Sequence, residues 1–275
     1  MPALPIDTIR EQCLRAERWV GRRFFATPFL DGDRRVLFVL GHMRTGSSLL
    51  VHILASHRNV VGYGETHNVY TRTADFGAAA ANVYRSLRRL PGNEAYLLDK
   101  VLHKYQITRT EVLRHPSVRV IFMIRRPDTA LSSMVCNEVV AGAEDAYQHY
   151  VQQVEWVCRL SQNLSADQWT STTYSELTQK SHSVLHRIES FLELSTPLSE
   201  RYDTNRHTGT RGVGDSGPHI EAGHIKRNID RDVDLRVRPY VKHARQQFKT
   251  CLQLLQEKGR LNVDRSMFSE KGAYE

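Results

Sequence analysis

The chain of 275 residues is short of several common features. It has four cysteines, Cys13, Cys136, Cys158 and Cys251, and no two of them form a CxxC pair. Such scattered thiols exclude a disulfide framework or zinc site as the organising element and fit reduced cysteines in a cytosolic protein. No apolar run approaches the length of a membrane span. Between Ile6 and Ala26, Asp7, Arg10, Glu11, Arg15, Glu17 and Arg18 break up any apolar signal region. There is no internal repeat, low-complexity tract or Gly/Ser linker, which favours a single domain over 1–275. The expectation is a cytoplasmic globular protein.

What is present begins with charge. The 38 Lys and Arg against 30 Asp and Glu leave a formal balance of +8. That sign suits nucleotides, sulfated glycans or nucleic acid without choosing among them, and it serves solubility equally well. The arginines are spread along the chain rather than gathered in an aromatic-rich strip, and zinc-finger spacing is missing, so nucleic acid is not the expected partner.

Hydrophobic periodicity organises the rest. Ile6 to about Phe25 reads as an amphipathic helix. Arg35 to Leu40 is a short apolar run bounded by Asp31-Gly32-Asp33 and Gly41, which reads as a buried strand opening a core over about 35–230. Leu49, Leu50, Ile53 and Leu54 then fall at helical spacing, so a helix begins near Ser47. Val118 to Ile124 reads as a second buried strand, with Pro127 at a first helical turn and a helix over Ala130 to Val140. Tyr96 to Val101 and Trp169 to Tyr174 are weaker strand candidates. Ala143 to Asn163, Ser181 to Leu194 and Asp234 to Lys258 read as helices, and Thr204 to Pro218 as a Gly- and Thr-rich loop. Strands alternating with helices predict an α/β domain with a parallel sheet flanked by helices, binding its ligand at the carboxyl ends of the strands.

Both notable motifs fall at such ends. A strand, Gly41-x4-Gly46 and a helix is the layout of a phosphate-binding loop: glycines admit an anion to the backbone, and N–H groups of the turn and helix N-terminus donate to it. A plain serine-capped turn would share that glycine spacing. A Walker loop needs Lys after the second glycine, but Ser47 stands there and the cation, Arg44, lies inside the loop. The stretch Met43-Arg44-Thr45-Gly46-Ser47-Ser48-Leu49 resembles the 5′-phosphosulfate loop of sulfotransferases, Pro-Lys/Arg-Ser/Thr-Gly-Ser/Thr-Ser/Thr, with Met43 in place of the proline. The resemblance implies that Arg44, Thr45, Gly46, Ser47, Ser48 and Leu49 hold 3′-phosphoadenosine 5′-phosphosulfate (PAPS), with no metal.

The second motif is Arg125-Arg126-Pro127, with Ser133 eight residues after Arg125. Arginine forks bind phosphate bidentately, and a helix N-terminus adds donors. An exposed arginine pair before a helix would look the same. In sulfotransferases Arg-x-Pro followed by such a serine resembles this motif and implies a 3′-phosphate clamp, which ATP would leave without a partner.

The resemblance extends to chemistry. Glu65, in Gly62-Tyr63-Gly64-Glu65-Thr66-His67, resembles the general base of tyrosylprotein and carbohydrate sulfotransferases, with His67 as the rival base. Lys100, after Leu97-Leu98-Asp99, resembles the lysine that steadies the bridging oxygen or leaving phosphate, a role Arg44 could share. Thr173 to Leu177 resembles a structural Tyr-Glu-Asp-Leu element. Gly212 to Ser216 and Gly223 to Arg227 resemble the late segment that closes over the nucleotide, implying Lys226 and Arg227 as 3′-phosphate contacts. The implied partner is a hydroxyl-bearing acceptor, with a glycan, lipid or secondary metabolite favoured. Val69 to Leu90 and Val139 to Ala146 are the candidate acceptor loops, where Tyr63, Tyr70, Phe76 and Tyr84 either line a pocket or belong to the core. The competing readings are a P-loop kinase or nucleotide hydrolase, opposed by Ser47 and by Arg125 where a Walker-B carboxylate would stand, and a non-catalytic anion-binding protein.

Overall fold

A computed structural model describes residues 34–210, 219–227 and 233–258, together with Trp19 and Phe29. Apart from Trp19, the helix expected over 6–25 lies outside the described residues, as does Gly212 to Ser216. Five strands form one parallel sheet in the order β2-β3-β1-β4-β5: β1 Arg35–Gly41, β2 Val60–Val61, β3 Tyr96–Val101, β4 Val118–Ile124 and β5 Trp169–Thr173. The helices are α1 Ser47–Ala55, α2 Asp75–Leu87, α3 Pro127–Cys136, α4 Ala143–Asn163, α5 Tyr174–Gln179, α6 Ser181–Leu192 and α7 Arg238–Lys258. Among the described residues no helix is long and apolar enough to cross a membrane.

The expected elements recur with shifted ends, each for a local reason. β5 stops at Thr173 because a capping box opens α5: the Thr173 hydroxyl accepts from the Glu176 N–H, and the Glu176 carboxylate accepts from the Thr173 N–H, each at 3.1 Å. α3 starts at Pro127, whose missing N–H costs nothing there, and stops at Cys136. Asn137 then donates to the Ser133 carbonyl at 2.7 Å, and Glu138 turns left-handed. α7 starts at Arg238 after a 3₁₀ turn, where the Asp234 carboxylate accepts from the Arg236 N–H at 2.9 Å.

Internal packing divides the chain into two compact units. One comprises the chain through Val39, Ser48–Val120 and Leu198–His224; the other comprises Leu40–Ser47, Ile121–Pro197 and the chain from Ile225. In the first, Phe38 meets Tyr70 edge to face with ring centres 4.9 Å apart, and Phe76 packs against both. Most of the candidate acceptor loop over Val69 to Leu90 is helix α2, and Tyr63, Tyr70, Phe76 and Tyr84 are all buried. The aromatic side chains therefore belong to the core. Sequence reading missed α2 as a helix; at its start the Asp75 carboxylate accepts from the Thr71 and Arg72 N–H groups at 2.8 and 3.1 Å. In the second unit, α4 packs along α7, burying Tyr150, Val154 and Val157 on one helix and Ala244, Phe248 and Leu252 on the other.

Two features of the first unit fix the chain that follows β2. Gly62 lies so close to β3 that a Cβ there would sit 2.6 Å from the Leu98 carbonyl oxygen. Beyond it, the wholly buried Asp99 carboxylate accepts the Thr66 N–H at 3.0 Å, the Thr66 hydroxyl at 2.6 Å and the Tyr70 hydroxyl at 2.6 Å. The Lys100 N–H adds a bond to the Gly64 carbonyl at 3.2 Å. Glu65 is thus gripped on both sides by β3.

Burial pushes the Asp99 carboxyl up from 3.8 to about 6, against the pull of its hydrogen bonds. A raised folded value means the stability from this group is present below pH 3.8 and lost as the pH climbs through about 6. Between pH 4 and pH 7 the wild type should lose on the order of 3 kcal/mol that Asp99→Asn does not lose. Urea denaturation of both proteins at the two pH values measures this difference, and parallel pH dependences would contradict the assignment.

Candidate active site

The loop from Gly41 to Ser47 lies in the second unit. Its turn is made by two left-handed residues, Arg44 at φ 62° and Gly46 at φ 87°. Left-handed residues alternating with right-handed ones turn successive N–H groups to one side, the concavity that binds anions. Gly46 tolerates no side chain, since a Cβ would run into the ring of Tyr174. Thr45 is fully buried, and its hydroxyl oxygen has no hydrogen-bond partner among the described residues. An orphaned buried hydroxyl within an N–H concavity is what a loop built for an anion presents.

Arg44 and Arg125 are brought together in this unit. The Arg44 Nε donates to Ser133 Oγ at 2.9 Å, and Arg125 Nη1 donates to the Arg44 carbonyl at 3.2 Å. Arg125 Nε donates to Thr129 Oγ1 at 3.1 Å, while its guanidinium lies 4.0 Å over the Tyr174 ring. Stacking on an aromatic face leaves the edges of a guanidinium plane for anion recognition. The two sequence motifs thus interlock: Arg44 reaches Ser133 of the second, and Arg125 reaches the backbone of the first.

The first unit holds the other candidates. The Lys100 side chain, 1% exposed, directs Nζ to Ser48 Oγ at 3.1 Å and to Glu65 Oε1 at 3.7 Å. An ammonium removed from water needs such partners, because an unpaired buried charge is costly. Glu65 is buried as well, and His67 Nδ1 lies 3.8 Å from its Oε2. Burial pushes the nearby His103 imidazole down, and His67 adds to that, while Glu65 raises it. A carboxylate with an ammonium and an imidazole within 4 Å can accept a proton, and the ammonium, bonded to Ser48, can neutralise developing negative charge.

The remaining predicted residues are placed as follows. Ser47 and Leu49 are buried in the first turn of α1. Lys226 and Arg227 are exposed, and Arg227 donates to Ser181 Oγ at 3.0 Å, at the start of α6. Sequence reading missed Asp99 as an anchor, Tyr174 as the platform for Arg125, and the pair His42 and Tyr150. A histidine inside a glycine loop and a tyrosine on an amphipathic helix carry no distinctive spacing.

Residues 71–198 match the family model described as the sulfotransferase family. The matched segment contains Lys100, Arg125 and Ser133; the loop and Glu65 precede it. No curated protein matches the chain in sequence. The fold is similar to the sulfotransferase domain of the Synechococcus PCC 7002 olefin synthase, with TM-score 0.56 and 18% identity over 78% of this chain and 94% of that one. It is also similar to the sulfotransferase domain from the curacin biosynthetic pathway, with TM-score 0.53 and 16% identity over 78% of this chain and 98% of that one. The family match spans less than half of the 275 residues, and over that segment and in its parallel-sheet fold the chain is similar to the sulfotransferase family.

Proposed function

We propose that this protein is a sulfotransferase that moves a sulfuryl group from PAPS to a hydroxyl on an acceptor of the glycan, lipid or secondary-metabolite class, with Glu65 as general base. The observation that carries the reading is Lys100: a buried ammonium within 3.1 Å of the loop's Ser48 and 3.7 Å of a buried carboxylate. In this scheme Arg44, Thr45, Gly46, Ser47, Ser48 and Leu49 surround the 5′-phosphosulfate. Arg125 and Ser133 bind the 3′-phosphate, and Lys226 and Arg227 add further contacts to it.

The acceptor oxygen attacks sulfur in line with the bond to the leaving phosphate. Glu65 takes the hydroxyl proton as the new S–O bond forms. The bond from sulfur to the 5′-phosphate oxygen breaks, and its electron pair stays on 3′-phosphoadenosine 5′-phosphate (PAP). Lys100, with Arg44, steadies the charge gathering on that oxygen. Glu65 then returns its proton to solvent, and no redox partner is required.

Two outcomes are expected. PAP at about a hundredfold above its Kd should raise the melting temperature by about 5–10 °C, and more than ATP with Mg²⁺ does. Equal shifts would sink the donor assignment. Glu65→Gln should lower kcat by about 10²–10⁴-fold while PAP binding persists. Turnover at the wild-type rate in that variant would pass the base role to His67.

A further inference from the structure

His42 follows the first glycine of the phosphate loop and is 1% exposed. Its Nδ1 lies 2.8 Å from the Met43 carbonyl oxygen, and its Nε2 lies 3.2 Å from the backbone nitrogen of Arg125. A carbonyl oxygen only accepts and a peptide N–H only donates, so both contacts fix the ring. Nδ1 carries the hydrogen and Nε2 offers its lone pair. The ring packs against Tyr150, centres 4.5 Å apart. The Tyr150 hydroxyl donates to the Arg125 carbonyl at 2.7 Å. Arg125 is therefore held through its N–H by His42 and through its C=O by Tyr150. On the loop side, the Met43 N–H donates to His149 Nε2 at 3.2 Å.

We infer that His42 is a positioning residue, which with Tyr150 pins the Arg125 peptide to the phosphate loop and so aims the Arg125 guanidinium before the nucleotide arrives. The inference rests on the proposed role of Arg125 toward the 3′-phosphate. Neither His42 nor Tyr150 needs to touch the ligand. Arg125 lies between the end of β4 at Ile124 and the start of α3 at Pro127, and a swing of its peptide there would carry the guanidinium away from Thr129 and the Arg44 carbonyl. The neutral ring is the form that performs this task, because a second ring proton would face the Arg125 N–H. Burial, reinforced by His149 and Arg125, drives the imidazole down to about 3, so the tether persists across the ordinary working range of pH.

A histidine that merely filled space would affect every ligand alike. One that aims Arg125 affects only ligands that carry a 3′-phosphate. The experiment therefore compares the affinity for PAP with that for 5′-AMP, which lacks this group, by calorimetry on the full chain. The wild type should prefer PAP. In His42→Asn the side chain is too short to reach the Arg125 N–H, and the preference should fall at least tenfold. In His42→Gln an amide oxygen reaches the Nε2 position, and the preference should return to within about threefold of wild type. Tyr150→Phe keeps the ring and removes one hydrogen bond, so it should lower the preference by about fivefold and serves if the His42→Asn protein does not fold.

Folded variants that keep the full PAP preference, or that lose PAP and 5′-AMP affinity equally, would overturn the positioning role while leaving the proposed function intact. A wild type with no preference for PAP would instead overturn the 3′-phosphate role of Arg125, and the inference with it.

Discussion

An ammonium group held at 1% exposure has to be matched by its surroundings, and in this protein that group is Lys100. The idealised cost of drying a lone charge exceeds the whole net stability of a domain, so the partners of Lys100 are conditions of the fold. Glu65 supplies the countercharge and Ser48 an acceptor oxygen. Glu65 can be in place only if the chain between β2 and α2 is held, and Asp99, next to Lys100 on β3, holds it through Thr66 and Tyr70. Successive residues of a strand point to opposite faces, so Asp99 and Lys100 serve different surroundings from a single strand. The pairing that offsets the burial of Lys100 also holds the Glu65 carboxylate beside it.

The sheet was legible because its strands are buried apolar runs. Val118–Ile124 and Tyr96–Val101 match the expected bounds, and β1 extends the expected run by Gly41. The order of the two motifs was legible for the same reason, since each follows such a run. Less visible was anything that depends on contacts far apart in sequence. β2 has two residues, Val60 and Val61, and is a strand only because β3 pairs with it, Val60 opposite Tyr96. Tyr70 and Phe76 are settled as core by contacts with each other and with Phe38, which no local sequence spacing carries. His42 acts on a peptide 83 residues away.

Parallel topology explains why distant motifs act together. β1 and β4 are neighbours in the sheet and run the same way, so the loops after their carboxyl ends emerge at one edge. Arg44 and Arg125 then meet without either needing a long excursion. Repulsion between the two guanidinium groups is managed by what each is bound to: Arg44 to the Ser133 hydroxyl, Arg125 to the Arg44 carbonyl and the Tyr174 face. The family match over 71–198 covers Arg125 and Ser133, while Arg44 lies ahead of it, so the interlock joins a matched segment to one outside the match.

The hydroxyl groups of the second unit make the strongest chemical case for an anion. A serine hydroxyl has one hydrogen to donate and two lone pairs. Ser133 Oγ accepts from Arg44 Nε at 2.9 Å and, more weakly, from Asn137 Nδ2 at 3.4 Å. With both lone pairs engaged by donors, what the oxygen still has to offer is its hydrogen. Thr45 Oγ1, buried in the loop, has no partner among the described residues. An apolar ligand or a cation would leave both groups worse off than water does, since neither accepts a hydrogen bond. A phosphate or sulfate oxygen satisfies each of them. Replacing Ser133 by alanine would therefore do more than remove a hydroxyl: it would strip Arg44 of an acceptor that orients it, and the two motifs would lose the bond from Arg44 to Ser133.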